Sequence, residues 1–145
     1  MARLALTLPD CNLFSTELPV RIRDINYGQH LSNDALMAML HEARMQWLQS
    51  QGFESELHVG DKGLIMADAA IVFGSEAFYG DVLRIRLGAA EISRASFELY
   101  YDVSQQTRTI AQAKTTMVAY DYQRQQICSL PPALRTALER QGLEK

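Results

Sequence analysis

From Asp34 to Ser50 the chain contains neither glycine nor proline, and four long alternating segments follow it with no comparable helical stretch between them. Parallel strands need a crossover of a dozen or more residues, usually a helix, so this order excludes a doubly wound sheet. The remaining economical packing is an α+β architecture in which a curved antiparallel sheet of about five strands wraps one long central helix.

The helical segment supports that packing. At 100° per residue Leu36, Met39, Leu40, Ala43 and Trp47 form one stripe, Met37 and Leu48 widen it, and Ala35 and Ala38 keep much of the opposite side small. A mostly enclosed helix is expected, with His41, Glu42, Arg44, Gln46 and Gln49 as its polar exceptions. Ser32 or Asn33 can cap it, Asp34 sits in the first turn, and Gly52 is placed to close it in the left-handed conformation.

The strands read from their period of two. Leu18, Val20 and Ile22 alternate with Pro19, Arg21 and Arg23, giving a first strand that runs toward Asp24. Later strands are expected over roughly 64–76, 82–92, 96–104 and 109–122, with Tyr79-Gly80-Asp81 and Gln105-Gln106 as bends. Ala111, Ala113, Met117 and Ala119 make one face of the last strand small enough for a helix to lie close. Pro131-Pro132 precedes a short helix from Ala133 to Gln141.

Composition bounds the function. A chain of 145 residues, 48% hydrophobic and 21% charged, is expected to form one domain over 1–145 without a disulfide or metal staple. A net charge of -3 gives no global positive field for nucleic acid or an anionic membrane. No apolar run approaches the roughly 20 residues of a bilayer helix, and Met1-Ala2-Arg3 opens no export signal, so a cytoplasmic protein is expected. Cys11 and Cys128 stand in no CxxC spacing, and His30, His41 and His58 show no metal-ligand pattern, so neither metal nor separate cofactor is expected.

Between the first strand and the helix lies a polar, glycine-bearing loop. The run Arg23-Asp24-Ile25-Asn26-Tyr27-Gly28-Gln29-His30-Leu31-Ser32-Asn33, followed by His41-Glu42-Ala43-Arg44, resembles the signature of hot-dog-fold acyl thioesterases of the 4-hydroxybenzoyl-CoA thioesterase type and of related acyl-carrier-protein thioesterases. Gly80-Asp81 opens a strand where such proteins commonly carry a Gly-Asp pair. The resemblance covers about residues 16–122.

That resemblance implies hydrolysis of thioesters of coenzyme A or an acyl carrier protein, with coenzyme A as part of the substrate. It also implies a homodimer or homotetramer whose sites lie between subunits. Thioester hydrolysis needs donors for the carbonyl oxygen, which backbone N–H groups from Gly28 to Leu31 at a helix N-terminus can present, and a group that handles water. Asp24, Tyr27, Gly28, Gln29, Leu31 and Asn33 are therefore candidate substrate-binding residues. The related enzymes' loop typically reads Asp-x-Asp with the second carboxylate catalytic, whereas here the matching residues are Asp24 and Asn26. An amide cannot accept that proton, so Asn26 is read as orienting water or substrate. His30, Glu42 and Asp68 are the candidates to replace it: His30 because imidazole titrates near neutrality, Glu42 because a mid-helix carboxylate is costly unless used, and Asp68 because it interrupts an apolar strand.

Structural alternatives stand beside each. His30 can simply bond a loop carbonyl, Glu42 can pair near Arg44 or with a strand arginine, Asp68 can face outward, and Asp24 can organise the loop. Tyr27 and Tyr79 line an acyl tunnel or fill the core, and Met37, Met39 and Met45 suit a pliable pocket or ordinary packing. Lys62, Arg94 and Arg124 have no spacing that marks them as phosphate ligands. Two other functions fit: a 3-hydroxyacyl hydratase or dehydratase using His30 and Glu42 from opposite subunits, and a non-catalytic acyl-CoA binding domain.

Overall fold

A computed structural model describes residues 3–140; Gln141, the expected end of the last helix, lies outside the described residues. The elements run β1 (Phe14–Pro19), a 3₁₀ turn (Ile22–Asp24), α1 (Asn33–Ser50), β2 (Gly63–Phe73), β3 (Val82–Ala90), β4 (Ser96–Gln105), β5 (Arg108–Asp121), β6 (Gln126–Ile127) and α2 (Pro132–Glu139). All the ladders are antiparallel. The order across the sheet is β1-β3-β4-β5-β2, and the short β6, which the sequence pattern did not show, pairs with β5.

The sheet turns one face to α1. Leu83, Ile85 and Leu87 of β3, Phe97, Leu99, Tyr101 and Val103 of β4, and Ala111, Ala113, Met117 and Ala119 of β5 are all buried. The helix backbone comes nearest to β1 and β3, not to the small-residue face of β5 where the sequence placed its close approach. Leu36, Met39, Leu40, Ala43, Trp47 and Leu48 fill the space opposite, with Trp47 edge-on to Phe97 at 6.4 Å between ring centres. Burial of such side chains stabilises a core by roughly 1.5–3 kcal/mol each.

The helix differs from expectation in two respects. At 18 residues it is about five turns and 27 Å, an ordinary length. It is also less enclosed: Ala38, His41 and Glu42 lie on an exposed side. Ser32 caps it by accepting the Ala35 N–H at 3.3 Å, and Gly52, at φ +90°, follows its C-terminus.

The first strand stops at Pro19 and does not continue toward Asp24. The Asp24 carboxylate accepts the Arg21 N–H at 2.8 Å, which folds Ile22–Asp24 into the 3₁₀ turn and leaves Ile22 71% exposed. Alternation alone cannot report that capture. Cys11 is buried and free, and burial pushes its thiol up to about 11.

Arg44 of α1 is buried. Its guanidinium donates to the Glu56 carboxylate and, at 3.0 Å, to the Tyr101 hydroxyl, which lies 2.8 Å from Thr115 Oγ1. His41 Nε2 meets the other Glu56 oxygen at 3.0 Å. The network fastens the loop after α1 to helix and sheet. Removing one partner of a buried pair leaves an uncompensated charge, so Glu56→Ala is expected to cost about 3 kcal/mol in urea unfolding. The double variant Arg44→Met/Glu56→Met is expected to lose less than the single one; a larger loss would show that the charges themselves stabilise the fold.

Candidate active site

The loop entering α1 closes on itself. Ile25 bridges Leu31, the Asn26 N–H donates to the His30 carbonyl at 3.0 Å, and the Ser32 N–H donates to the Asp24 carbonyl at 2.9 Å. Asn26 Oδ1 accepts the Gly28 N–H at 2.9 Å, the local turn that asparagine favours. A Cβ on Gly28 would stand 3.2 Å from both Asn26 Oδ1 and His30 Nε2, so only glycine leaves those two side chains undisturbed.

Most of the amides expected to form an oxyanion cradle serve the loop instead. Gly28, Gln29 and Leu31 donate to Asn26 Oδ1, the Asn26 carbonyl and the Ala77 carbonyl. The His30 N–H and the first turn of α1 are left to supply outward donors. Asn33 is its first residue, and an N–H there has no intrahelical acceptor.

His30 is half-buried beside that turn. Its Nδ1 lies 3.3 Å from the Leu31 carbonyl, and its Nε2 lies 3.4 Å from Glu76 Oε2. Glu76 belongs to the segment between β2 and β3, which is stitched to the loop by the bond from Leu31 N–H to the Ala77 carbonyl at 2.8 Å. Together they surround a cavity of about 130 Å³ lined by His30, Leu31, Ser32, Asn33 and Leu36 on one side and by Phe73 through Ala77 and Ile110 on the other. Sequence reading missed Glu76 because nothing local distinguishes it; it meets His30 only through the fold.

The remaining candidates lie elsewhere. Asp24 is buried and held by the Arg21 N–H. Glu42 is exposed, not enclosed in apolar surroundings, and accepts from Gln46 Nε2 at 2.8 Å; it pairs with no arginine among the described residues. It lines a separate cavity of about 500 Å³ with Leu18, Arg21, Asp24 and Met39. Asp68 follows a register shift in β2 and is also exposed; the hydrogen bond from Lys114, at 3.0 Å, holds its carboxyl below the usual range. Tyr27, at 103% exposure, and Tyr79, at 66%, neither fill the core nor line a tunnel within this chain. Gln29 is exposed at φ +67°. Lys62, Arg94 and Arg124 are engaged by Asp61, Ser129 and Asp121. Among the described residues no cluster of three or more His, Cys, Asp or Glu side chains is arranged to hold a metal ion.

The profile of the thioesterase-like superfamily matches residues 20–138. A solved 1,4-dihydroxy-2-naphthoyl-CoA thioesterase from Synechocystis is 28% identical, with 86% of this chain and 94% of that chain covered and a TM-score of 0.78. A solved gentisyl-coenzyme A thioesterase is 23% identical, covers 86% of this chain and 99% of its own, and superposes at 0.77. A protein from Prochlorococcus marinus reaches a TM-score of 0.82 at 20% identity, over 93% of this chain and all of its own, and so shares the fold. No match was found among curated proteins.

The Ser32 cap sets where α1 begins and hence where its first N–H groups point. Ser32→Ala is expected to lower stability by about 1 kcal/mol in urea unfolding, and Ser32→Asp to restore most of it. An unchanged midpoint in the alanine variant would show that the loop holds the first turn without its cap.

Proposed function

The chain belongs to the thioesterase-like superfamily, and from that premise we propose that it hydrolyses thioesters of coenzyme A, or of an acyl carrier protein, with water at the first turn of α1. The observation that carries this reading is the meeting of His30, Asn33 and the helix N-terminus around one cavity. A thioester carbonyl develops negative charge as water adds. The Asn33 N–H and the positive end of the helix dipole oppose that charge where it forms.

In this reading His30 Nε2 and the Asn26 side chain hold water and substrate beside the carbonyl, Gly28 lets them close, and coenzyme A enters as part of the substrate. The active form is a cytoplasmic homodimer or homotetramer. Strand β2 supports the assembly: it is an edge strand, and Asp68 is the one charged residue between Gly63 and Phe73. Glu42 and Asp68 are remote from the cavity in their own chain, so their parts in catalysis are assigned to a second copy. No helix among the described residues is long and apolar enough to cross a membrane.

Incubation with a panel of alkyl and aryl acyl-CoAs, following free thiol, tests the proposal. Thiol release is expected, with His30→Ala losing roughly 10²–10⁴-fold in kcat/KM. Enoyl hydration without thiol release would establish the hydratase alternative. Saturable binding without turnover, with activity gained only in Asn26→Asp, would establish the binding domain.

A further inference from the structure

We propose that Glu76 is the proton acceptor of the reaction, supplying from the segment after β2 the carboxylate that Asn26 cannot provide. This rests on the thioesterase reading and assigns its unassigned step. Among the described residues, Glu76 is the one carboxylate lining the cavity at the first turn of α1. Its Oε2 lies 3.4 Å from His30 Nε2, close enough for one water to bond both groups.

The placement is built by the backbone. Arg108 donates to the Glu76 carbonyl at 3.1 Å, and the neighbouring Ala77 carbonyl accepts the Leu31 N–H. Gly74 and Ser75 donate to Ile110 and Thr109, and a Cβ on Gly74 would lie 2.7 Å from the Thr109 carbonyl oxygen. The segment is thus fixed against both β5 and the loop, and the side chain of Glu76, 63% exposed, is left to meet the cavity's water.

His30 by itself is poorly placed to be the base. A neutral imidazole has one N–H and one lone pair, and here its two nitrogens face the Leu31 carbonyl and the Glu76 carboxylate. In the proposed arrangement the ring proton sits on Nδ1 and is donated to the Leu31 carbonyl, so that Nε2 accepts a hydrogen bond from the shared water. The other proton of that water then points to Glu76.

The step balances without a further reactant. Glu76 takes a proton from water as its oxygen bonds to the thioester carbonyl carbon. The carbon–sulfur bond breaks, the electron pair leaves on sulfur, and the proton held by Glu76 passes to the thiolate. Acid and thiol are the products, and the carboxylate is regenerated.

The test is Glu76→Gln, assayed by thiol release across pH 4–9 with the acyl-CoA that the wild-type protein turns over fastest. A kcat loss of roughly 10²–10⁴-fold with little change in KM is expected, together with loss of the acid limb of the wild-type pH profile. Glu76→Asp is expected to recover part of the rate. Wild-type activity with an unchanged acid limb in Glu76→Gln overturns the assignment while leaving the thioesterase reading intact. A wild-type protein that releases no thiol from any acyl-CoA or acyl carrier protein overturns both.

Discussion

Covering one face of α1 is the requirement on which the rest of the structure depends. Trp47, Leu48 and Leu40 cannot remain in water, and a flat sheet contacts a cylinder along too narrow a strip to cover them. Alternating large and small side chains resolve the mismatch. The leucines and isoleucine of β3, the strand beside β1 where α1 comes nearest, and the alanines of β5 are all buried on the covered face. The same packing leaves Ala38, His41 and Glu42 on the open side, so the helix is covered by its sheet without being surrounded.

Once α1 is seated, its N-terminus has to be reached by a loop from β1 and passed by the chain leaving β2. Both segments carry backbone groups that need partners away from water. They find them in each other, through Leu31 and Ala77, and this one bond brings His30 to Glu76 across 46 positions of sequence. The chemistry of the site is therefore a by-product of satisfying backbone polarity at a helix end.

The parts legible in the sequence are those written in local periodicity. The alternation in β3 and β4 marked residues that are buried, and the stripe on α1 marked the helix face that meets them. Legibility failed where a side chain interferes with the local pattern. Ile22 continues the alternation of the first strand, yet Asp24 captures the Arg21 N–H and turns the chain. Asp68 sits in an apolar run, yet a register shift in an edge strand sends it outward to Lys114. Arg44 stood out as a polar exception, but its partner lies in a loop whose sequence has no period. Glu76 was illegible for the same reason: its meaning lies wholly in a contact made by topology.

Asn26 acquires a physical sense from this arrangement. Its oxygen accepts the Gly28 N–H just as a carboxylate oxygen would, so an uncharged residue preserves the loop geometry. In the proposed reaction the negative charge comes instead from the segment following β2, whose Glu76 lines the cavity. Because that segment extends from the edge strand, whose last residue Phe73 also lines the cavity, the group doing the chemistry and the edge available to a second copy belong to one stretch of chain. In the assembly proposed along β2, the strand at the seam and the carboxylate belong to one continuous segment.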